Sequence, residues 1–426
     1  MGTNLLFCVC VVLASLVAAG CASQAAPLDP PPSPTRAASS SGGSALSAPQ
    51  PSQPGDLPTR TPSPTRRAPT PTATLAPPSP TPTPTPVPSP TPTPTPALLR
   101  LTSGGCCTQP FWSPDSRRVL YIDKPGPELP VGIWGVDVTQ PQPTPELLTE
   151  RIAFYTADLA FRIEPGQDRT RIERLAVPLA PTQALSGTGS LTGPIPPPGT
   201  TWEVPNGGRS VSISPGYQRI AWQVSDEDIP IERRTTQVWV ANFDGSAPQM
   251  AASLPRGGLS GWVSDDVLLL SGRESFQAEE QVLYTLALAD GSQVELARGK
   301  RLRGGLLSPD GVWMVYFMAL DEDAAQNGVW LVRTDGSGRR KLERNLFGAY
   351  QWRDNRRLLI IPFQAYAAYH EIWEFDAEAG QTRRLTDPQV TPFKIANGDW
   401  AVSPDGRYVA FVESQDRNIW LLRLPE

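Results

Sequence analysis

Histidine and cysteine are almost absent from this chain of 426 residues, which contains one histidine, His370, and five cysteines. A Ser-His-Asp or Cys-His catalytic device would have to use His370, and the sequence has no Gly-x-Ser-x-Gly motif. A zinc site needs clustered Cys and His ligands, yet beyond residue 97 the chain offers only Cys106, Cys107 and His370. The sequence therefore predicts no classical hydrolase site, no metal site and no cofactor, and it favours a non-enzymatic role.

No block of lysine and arginine stands out in the sequence either. The chain has 37 basic and 42 acidic residues. Removing the four arginines and two aspartates of segment 21–97 from these totals leaves 33 basic and 40 acidic residues, a net charge of −7. Because no basic patch stands out, we do not expect nucleic acid as a partner.

Proline, in contrast, is concentrated in one segment. Of the 50 prolines, 24 lie between Pro27 and Pro96, in a stretch of Pro, Thr, Ser and Ala with few large apolar residues. Such a segment cannot bury a core, so we expect residues 21–97 to be a disordered tether. Its Thr-Pro repeats favour polyproline II at ~3.1 Å per residue, which allows a reach of up to roughly 200 Å. The folded domain is then expected to span residues 98–426.

The N-terminus predicts a destination outside the cytoplasm. Residues 5–19 form an apolar run that is too short to span a bilayer comfortably and ends in small residues, as signal peptides do. The following "LVAAGCAS" resembles the lipobox of bacterial lipoproteins, which implies cleavage after residue 20 and lipidation of Cys21. The alternatives are an ordinary signal peptide cut nearby or an uncleaved anchor. We expect a protein held to a bacterial cell membrane on its outer side by lipid.

A turn followed by an apolar run recurs along the domain. It reads "SPDGVWMVYF" at 308–317 and "SPDGRYVAF" at 403–411. Proline presets φ in this turn, and glycine supplies a left-handed position. Looser copies lie at about every 45 to 50 residues, and each unit has a second strand with a central aromatic residue. The copies begin at Trp112, Ile213, Trp262, Leu307, Trp352 and Val402.

Units of this length cannot bury a sheet alone, whereas radial stacking can, so the pattern predicts an all-β propeller of four-stranded blades. At these residues the chain resembles the TolB-type (WD40-like) propeller repeat over residues 98–426. The interval from 112 to 213 is about twice the others. Three strands at 158–163, 171–179 and 200–204, without the turn motif, would make seven blades. The alternative is six blades and an insertion. Residues 97–102 are expected to pair with the last blade and close the ring.

Candidate functional residues lie in the loops. Two acidic runs occupy equivalent positions in their blades: Asp226–Asp228, with Glu227 between them, and Asp321–Asp323, with Glu322 between them. We interpret both runs as solvated turns, and weak calcium binding is the alternative. His370 is expected to be exposed and structurally neutral. The adjacent Cys106 and Cys107 could form a strained disulfide, stay reduced or bond another chain.

Propellers bind ligands at one face or in the axial channel, so the loops at 183–201, 225–236 and 320–328 are candidates. TolB-type propellers of the cell envelope bind partner proteins, and the resemblance implies a binding scaffold for an envelope or extracellular protein, peptide or polysaccharide. Two alternatives stay open. One is an extracellular glycan hydrolase or lyase with carboxylates converging at the channel mouth, and the other is a structural surface-layer protein.

Overall fold

The computed structural model describes residues 98–105, 108–180, 196–207, 211–226, 228–342, 346–364 and 366–426. These residues form seven antiparallel four-stranded sheets arranged as the blades of one propeller. The predicted propeller and the seven-blade count are confirmed, and the six-blade alternative is wrong. Within this part of the chain, no helix has the length and hydrophobicity needed to cross a bilayer.

The strands follow one another from the ring centre outwards in each blade. β1 (Leu98–Arg100) precedes the first blade. Blades 1 and 2 consist of β2 (Thr108–Trp112), β3 (Arg118–Asp123), β4 (Gly132–Asp137), β5 (Pro145–Thr149), then β6 (Phe154–Tyr155), β7 (Phe161–Pro165), β8 (Arg169–Arg174) and β9 (Thr201–Pro205). Blades 3 and 4 consist of β10 (Ser212–Ile213), β11 (Arg219–Ser225), β12 (Thr235–Asn242), β13 (Gln249–Pro255), then β14 (Gly258–Ser264), β15 (Val267–Gly272), β16 (Gln281–Ala287) and β17 (Gln293–Gly299). A 3-10 turn at Ile231–Arg233 lies between β11 and β12.

Blades 5 and 6 continue the same order. They consist of β18 (Leu302–Leu307), β19 (Trp313–Met318), β20 (Gly328–Arg333), β21 (Arg340–Lys341), then β22 (Gly348–Trp352), β23 (Arg357–Pro362), β24 (Trp373–Asp376) and β25 (Gln381–Arg384). Blade 7 consists of β26 (Ile395–Val402), β27 (Tyr408–Glu413), β28 (Ile419–Arg423) and β1 as its outermost strand.

The N-terminal strand closes the ring, as the sequence predicts. Leu98, Leu99 and Arg100 of β1 pair antiparallel with β28, with Leu98 opposite Leu422. Just beyond, the amide of Leu101 donates to the carbonyl of Ile419 over 2.8 Å. Blade 7 is therefore built from both ends of the domain.

Seven hydrophobic clusters hold the ring together, one in each interface between neighbouring blades. Six of them contain nine to twelve buried residues. The interface between blades 1 and 2 contains only four. On the blade 2 side of this interface, Arg162 is buried and forms ion pairs with Glu164 and Glu173. Polar contacts here replace part of the apolar packing found elsewhere.

The recurring motif forms the turn between the first and second strands of a blade. In blade 7 the Ser403 hydroxyl donates to Asp405 over 2.6 Å and accepts the amide of Tyr408 over 2.9 Å. Blade 2 was expected to lack this turn. Instead Thr156 donates to Asp158 over 2.6 Å and accepts the amide of Phe161 over 3.1 Å. Blade 2 therefore forms the same turn without the Ser-Pro-Asp-Gly sequence. The strand that follows, β7, begins at residue 161 rather than at residue 158.

Tryptophans at the ends of first strands connect one blade to the preceding one. The Trp112 indole donates to the backbone oxygen of Ala401 over 3.1 Å. The equivalent Trp262 and Trp352 donate to the carbonyls of Ser212 and Leu306, each over 3.2 Å. These side chains are core residues of the ring, and each also satisfies an inner-strand carbonyl.

We expect alanine at Gly311 to destabilise the domain more than alanine at Gly291. Both glycines are left-handed, with φ of 73° and 72°, and this conformation costs an L-residue about 1–2 kcal/mol. A Cβ at Gly311 would also overlap the backbone oxygen of Val263 in blade 4, whereas Gly291 has nothing within 4 Å. Urea unfolding should show Gly311→Ala to be about 1–3 kcal/mol less stable than Gly291→Ala. Equal losses would show that the contact between blades 4 and 5 is unimportant.

Candidate ligand-binding face

The topology assigns every connection to one of two faces of the ring. We call the loop face the end formed by connections between second and third strands and by connections from one blade to the next. We call the turn face the end formed by connections between first and second strands and between third and fourth strands. Since each blade repeats the same antiparallel order, these assignments hold around the ring.

The predicted binding loops are divided between the two faces. Residues 226–234 and 319–327 connect second to third strands in blades 3 and 5 and lie on the loop face. Residues 175–200 connect β8 to β9, so their described ends lie on the turn face. The loop at 183–201 therefore does not share a face with the other two candidates.

Exposed apolar side chains are concentrated on the loop face. Sixteen large hydrophobic residues are exposed in the described part of the chain. Eleven lie in loop-face connections, whereas the turn face has only Val177 and Val312. The eleven are Leu129, Val131, Ile152, Ile229, Phe276, Leu320, Phe347, Phe363, Tyr366, Tyr369 and Val390. Contiguous exposed apolar surface is typical of an interaction site, so the loop face is the better candidate of the two faces.

The connection between β23 and β24 of blade 6 contains more exposed aromatic side chains than any other connection of the described residues. Phe363 is 76% exposed, Tyr366 is fully exposed, and Tyr369 is 40% exposed. We call these three residues the aromatic loop. The amide of Phe363 donates to the carbonyl of Phe347 over 2.7 Å. The exposed ring of Phe347 therefore adjoins the loop.

The backbone of the aromatic loop is held in place from both sides. Lys394, just before β26, donates to the carbonyl of Ala367 over 2.9 Å. The Gln364 amide donates to Glu371 over 2.9 Å, which spans the base of the loop. These hydrogen bonds constrain the described parts of the loop and so reduce the backbone entropy that is lost when a ligand binds.

The first strands are irregular near their loop-face ends. In β26 the register shifts between Ile395 and Trp400, and Asn397 and Gly398 are left-handed with φ of 53° and 78°. In β18 the register shifts after Gly304, which has φ of 85°. Bulges of this kind are common beside binding sites because they redirect side chains.

One carboxylate lies within the irregular part of β26. Asp399 is 6% exposed, and burial raises its pKa while the positive charge of Arg417 opposes the rise. Asp399 is the only acidic residue on the described first strands of the seven blades. A glycan hydrolase or lyase of the kind considered above would need several carboxylates that converge at the channel mouth. The described first strands contribute only Asp399.

The acidic loops form turns through their own backbone. The Asp226 carboxylate accepts the amide of Asp228 over 3.0 Å. Asp321 accepts the amide of Asp323 over 3.0 Å, and Glu322 lies 3.8 Å from Lys300. The two runs belong to blades 3 and 5, and the structure does not bring them together. Among the described residues, no group of three or more His, Cys, Asp or Glu is placed to hold a metal ion.

His370 is half-buried rather than exposed. Its Nδ1 accepts the backbone amide of Ile395 over 3.2 Å, and its amide donates to the carbonyl of Phe393 over 2.8 Å. Burial, together with the nearby charge of Lys394, lowers the pKa of the imidazole. These contacts attach the aromatic loop segment to the start of β26, which is a structural role.

Four predicted residues, Cys21, Cys106, Cys107 and Glu227, lie outside the described residues. Their predicted roles stay predictions. The aromatic loop was missed by sequence reasoning, which considered "QAYAAYHEIW" only for its histidine. The available signal was the spacing of Phe363, Tyr366 and Tyr369 in a segment without strand alternation.

No family model and no curated protein matches the chain. Among solved structures, it is similar to an oligogalacturonate lyase in complex with manganese, with a TM-score of 0.52 and 13% identity over 77% of this chain and 93% of that chain. A second oligogalacturonate lyase, from Vibrio parahaemolyticus, gives a TM-score of 0.51 and 11% identity over 77% and 94%. A protein described as TolB from Agrobacterium tumefaciens gives 0.33 and 15% over 77% and 96%. At these identities the similarity shows the propeller fold alone.

Proposed function

We propose that the protein is a binding scaffold of the bacterial envelope, anchored to the membrane by lipid at Cys21, that holds a protein, peptide or wall polymer on its loop face. A seven-bladed propeller is compatible with a scaffold and with an enzyme. The observation that carries the proposal is that, within the described part of the chain, eleven of the sixteen exposed large hydrophobic residues lie on that face.

The position of the tether supports this arrangement. β1 is antiparallel to β28, and β28 runs from the loop face to the turn face. Residue 98 therefore begins at the turn face, on the outer edge of blade 7. The described chain thus starts on the face opposite the aromatic loop, which is compatible with an anchored protein whose loop face is accessible.

Alanine at the aromatic loop is expected to abolish partner capture. The test is crosslinking and recovery of the full chain from its native envelope, comparing wild type with a triple variant, Phe363→Ala, Tyr366→Ala and Tyr369→Ala. We expect one stoichiometric partner with wild type and at least a tenfold lower yield with the variant.

A matched control removes exposed apolar side chains elsewhere, with Val177→Ala, Met250→Ala and Val294→Ala, and should capture the partner normally. A Cys21→Ala form should leave the membrane fraction and still bind. Equal capture by the aromatic-loop variant, or recovery of other copies of this chain alone, would refute the proposed binding face.

A further inference from the structure

Blade 5 carries cationic side chains along its outer edge, stacked on aromatic rings. The guanidinium carbons of Arg333 and Arg340 lie 4.4 and 5.0 Å from the centroid of Trp313. Trp313 is buried between blades 5 and 6. Arg340 donates from Nη1 to the carbonyl of Glu378 over 3.3 Å, a contact that leaves its other N–H groups available.

A second pair lies on the opposite side of the same blade. Arg339 and Lys341 are exposed and lie 4.8 and 5.8 Å from the ring centroid of Trp330. Trp330 packs against the apolar cluster between blades 4 and 5. Lys341 donates to the carbonyl of Ala325 over 2.8 Å. We call these four cations, Arg333, Arg339, Arg340 and Lys341, the rim cluster.

The rim cluster has no carboxylate partner within 4.0 Å among the described residues, although many other arginines of the domain do. Arg298, for example, contacts Glu274 and Glu295, each over 2.7 Å. Two carboxylates interact with these cations without forming an ion pair. The charge of Arg339 contributes to lowering the pKa of Glu295, and the charge of Arg333 contributes to lowering the pKa of Asp335. Among the described residues, blade 5 thus holds four cations that lack a direct carboxylate contact, in a domain with a net negative charge.

Stacking prepares these side chains to bind anions. A guanidinium stacked on an aromatic face is stabilised by the cation–π attraction, and the N–H groups at its edge can still donate hydrogen bonds to a ligand. Those edges match carboxylate and phosphate oxygens, with less ordering entropy to lose than a free side chain. Because the two pairs lie on opposite faces of one sheet, one ligand contacts both only if it carries several anionic groups.

We propose that the rim cluster binds an anionic envelope polymer that carries repeated carboxylate or phosphate groups. The site lies on the rim of blade 5, away from the aromatic loop. The choice of an envelope polymer rests on the proposed envelope location, and the binding of a polyanion does not rest on the proposed role of the loop face. Its ligand contacts both pairs of cations at once, so single small anions bind it weakly.

The test measures binding of the full chain to alginate, which carries carboxylates, and to inorganic polyphosphate, with neutral dextran as the uncharged comparison. The variant replaces all four cations by glutamine, which keeps part of each stem over its ring. We expect the affinity for at least one polyanion to fall at least tenfold in the variant, and wild-type affinity to fall with rising salt.

The control variant removes four paired, exposed arginines on other blades and so matches the change in charge, with Arg117→Gln, Arg169→Gln, Arg356→Gln and Arg407→Gln. It should lose less than threefold, and near-ultraviolet circular dichroism should show that both variants stay folded. An equal loss in both variants, tight binding to dextran, or a preference for anionic phospholipid vesicles over both polymers would overturn the proposal.

Discussion

Replacing Glu374 by alanine should destabilise the domain by about 3–5 kcal/mol, because it leaves a buried arginine without its counter-ion. Arg353 and Glu374 are 5% and 4% exposed, and Arg353 Nη1 donates to Glu374 Oε2 over 2.6 Å. The same guanidinium donates to the carbonyls of Gly406 and Pro425, each over 2.8 Å. It therefore connects blade 6 to the turn of blade 7 and to the C-terminal segment.

The measurement is equilibrium urea unfolding of Glu374→Ala, Arg353→Met and the double variant. The double variant should be more stable than Glu374→Ala alone, since it removes the unpaired charge. Glu146→Ala serves as the control because Glu146 is largely exposed and pairs with Arg118 over 3.3 Å, so a loss below about 1 kcal/mol is expected. A similar loss for Glu374→Ala and Glu146→Ala would contradict a structural role for the buried pair.

Removing β1 should open the ring and expose the edge of β28. A chain that begins at Ser103 loses the pairing of Leu98–Arg100 and the burial of Leu101, which is 4% exposed. It also loses the Thr102 hydroxyl, which accepts the amide of Ile419 over 2.9 Å. Together these contacts contribute on the order of 5 kcal/mol.

The matched comparison is a chain that begins at Ala97 and retains the whole strand. We expect the shorter chain to unfold at a clearly lower urea concentration and to self-associate in light scattering, since an unpaired strand edge is a template for other chains. Identical midpoints and a monomeric shorter chain would show that β1 does not close the ring.

The architecture was accessible from sequence because its determinants are local and repeated. The Ser-Pro-Asp-Gly turn and the following apolar run carry both the hydrogen-bonding groups and the left-handed position that each blade needs. Ring closure followed from counting strands in the last unit. Blade 2 was recognised as a blade, but its turn was missed because Thr156 and Asp158 perform the hydrogen bonding without proline or glycine.

The functional surfaces were less accessible because they depend on which distant segments meet. Arg353 stands at the serine position of a degraded motif, and the sequence does not show that its side chain reaches Pro425. The rim cluster consists of three consecutive cations and Arg333. Its significance lies in the tryptophans against which the cations stack and in the lack of a carboxylate within 4.0 Å among the described residues. The aromatic loop was identified only by comparing the exposed apolar side chains of the two faces, which requires the structure.

Site-specific photocrosslinking is the most direct test of binding through the loop face. A photoreactive phenylalanine analogue at Tyr366, fully exposed on the loop face, is compared in the native envelope with the same analogue at Val177, which is 78% exposed on the turn face. Binding through the loop face predicts one discrete adduct from position 366 and none from position 177. An adduct from position 177 alone, or equal adducts from both positions, would contradict it.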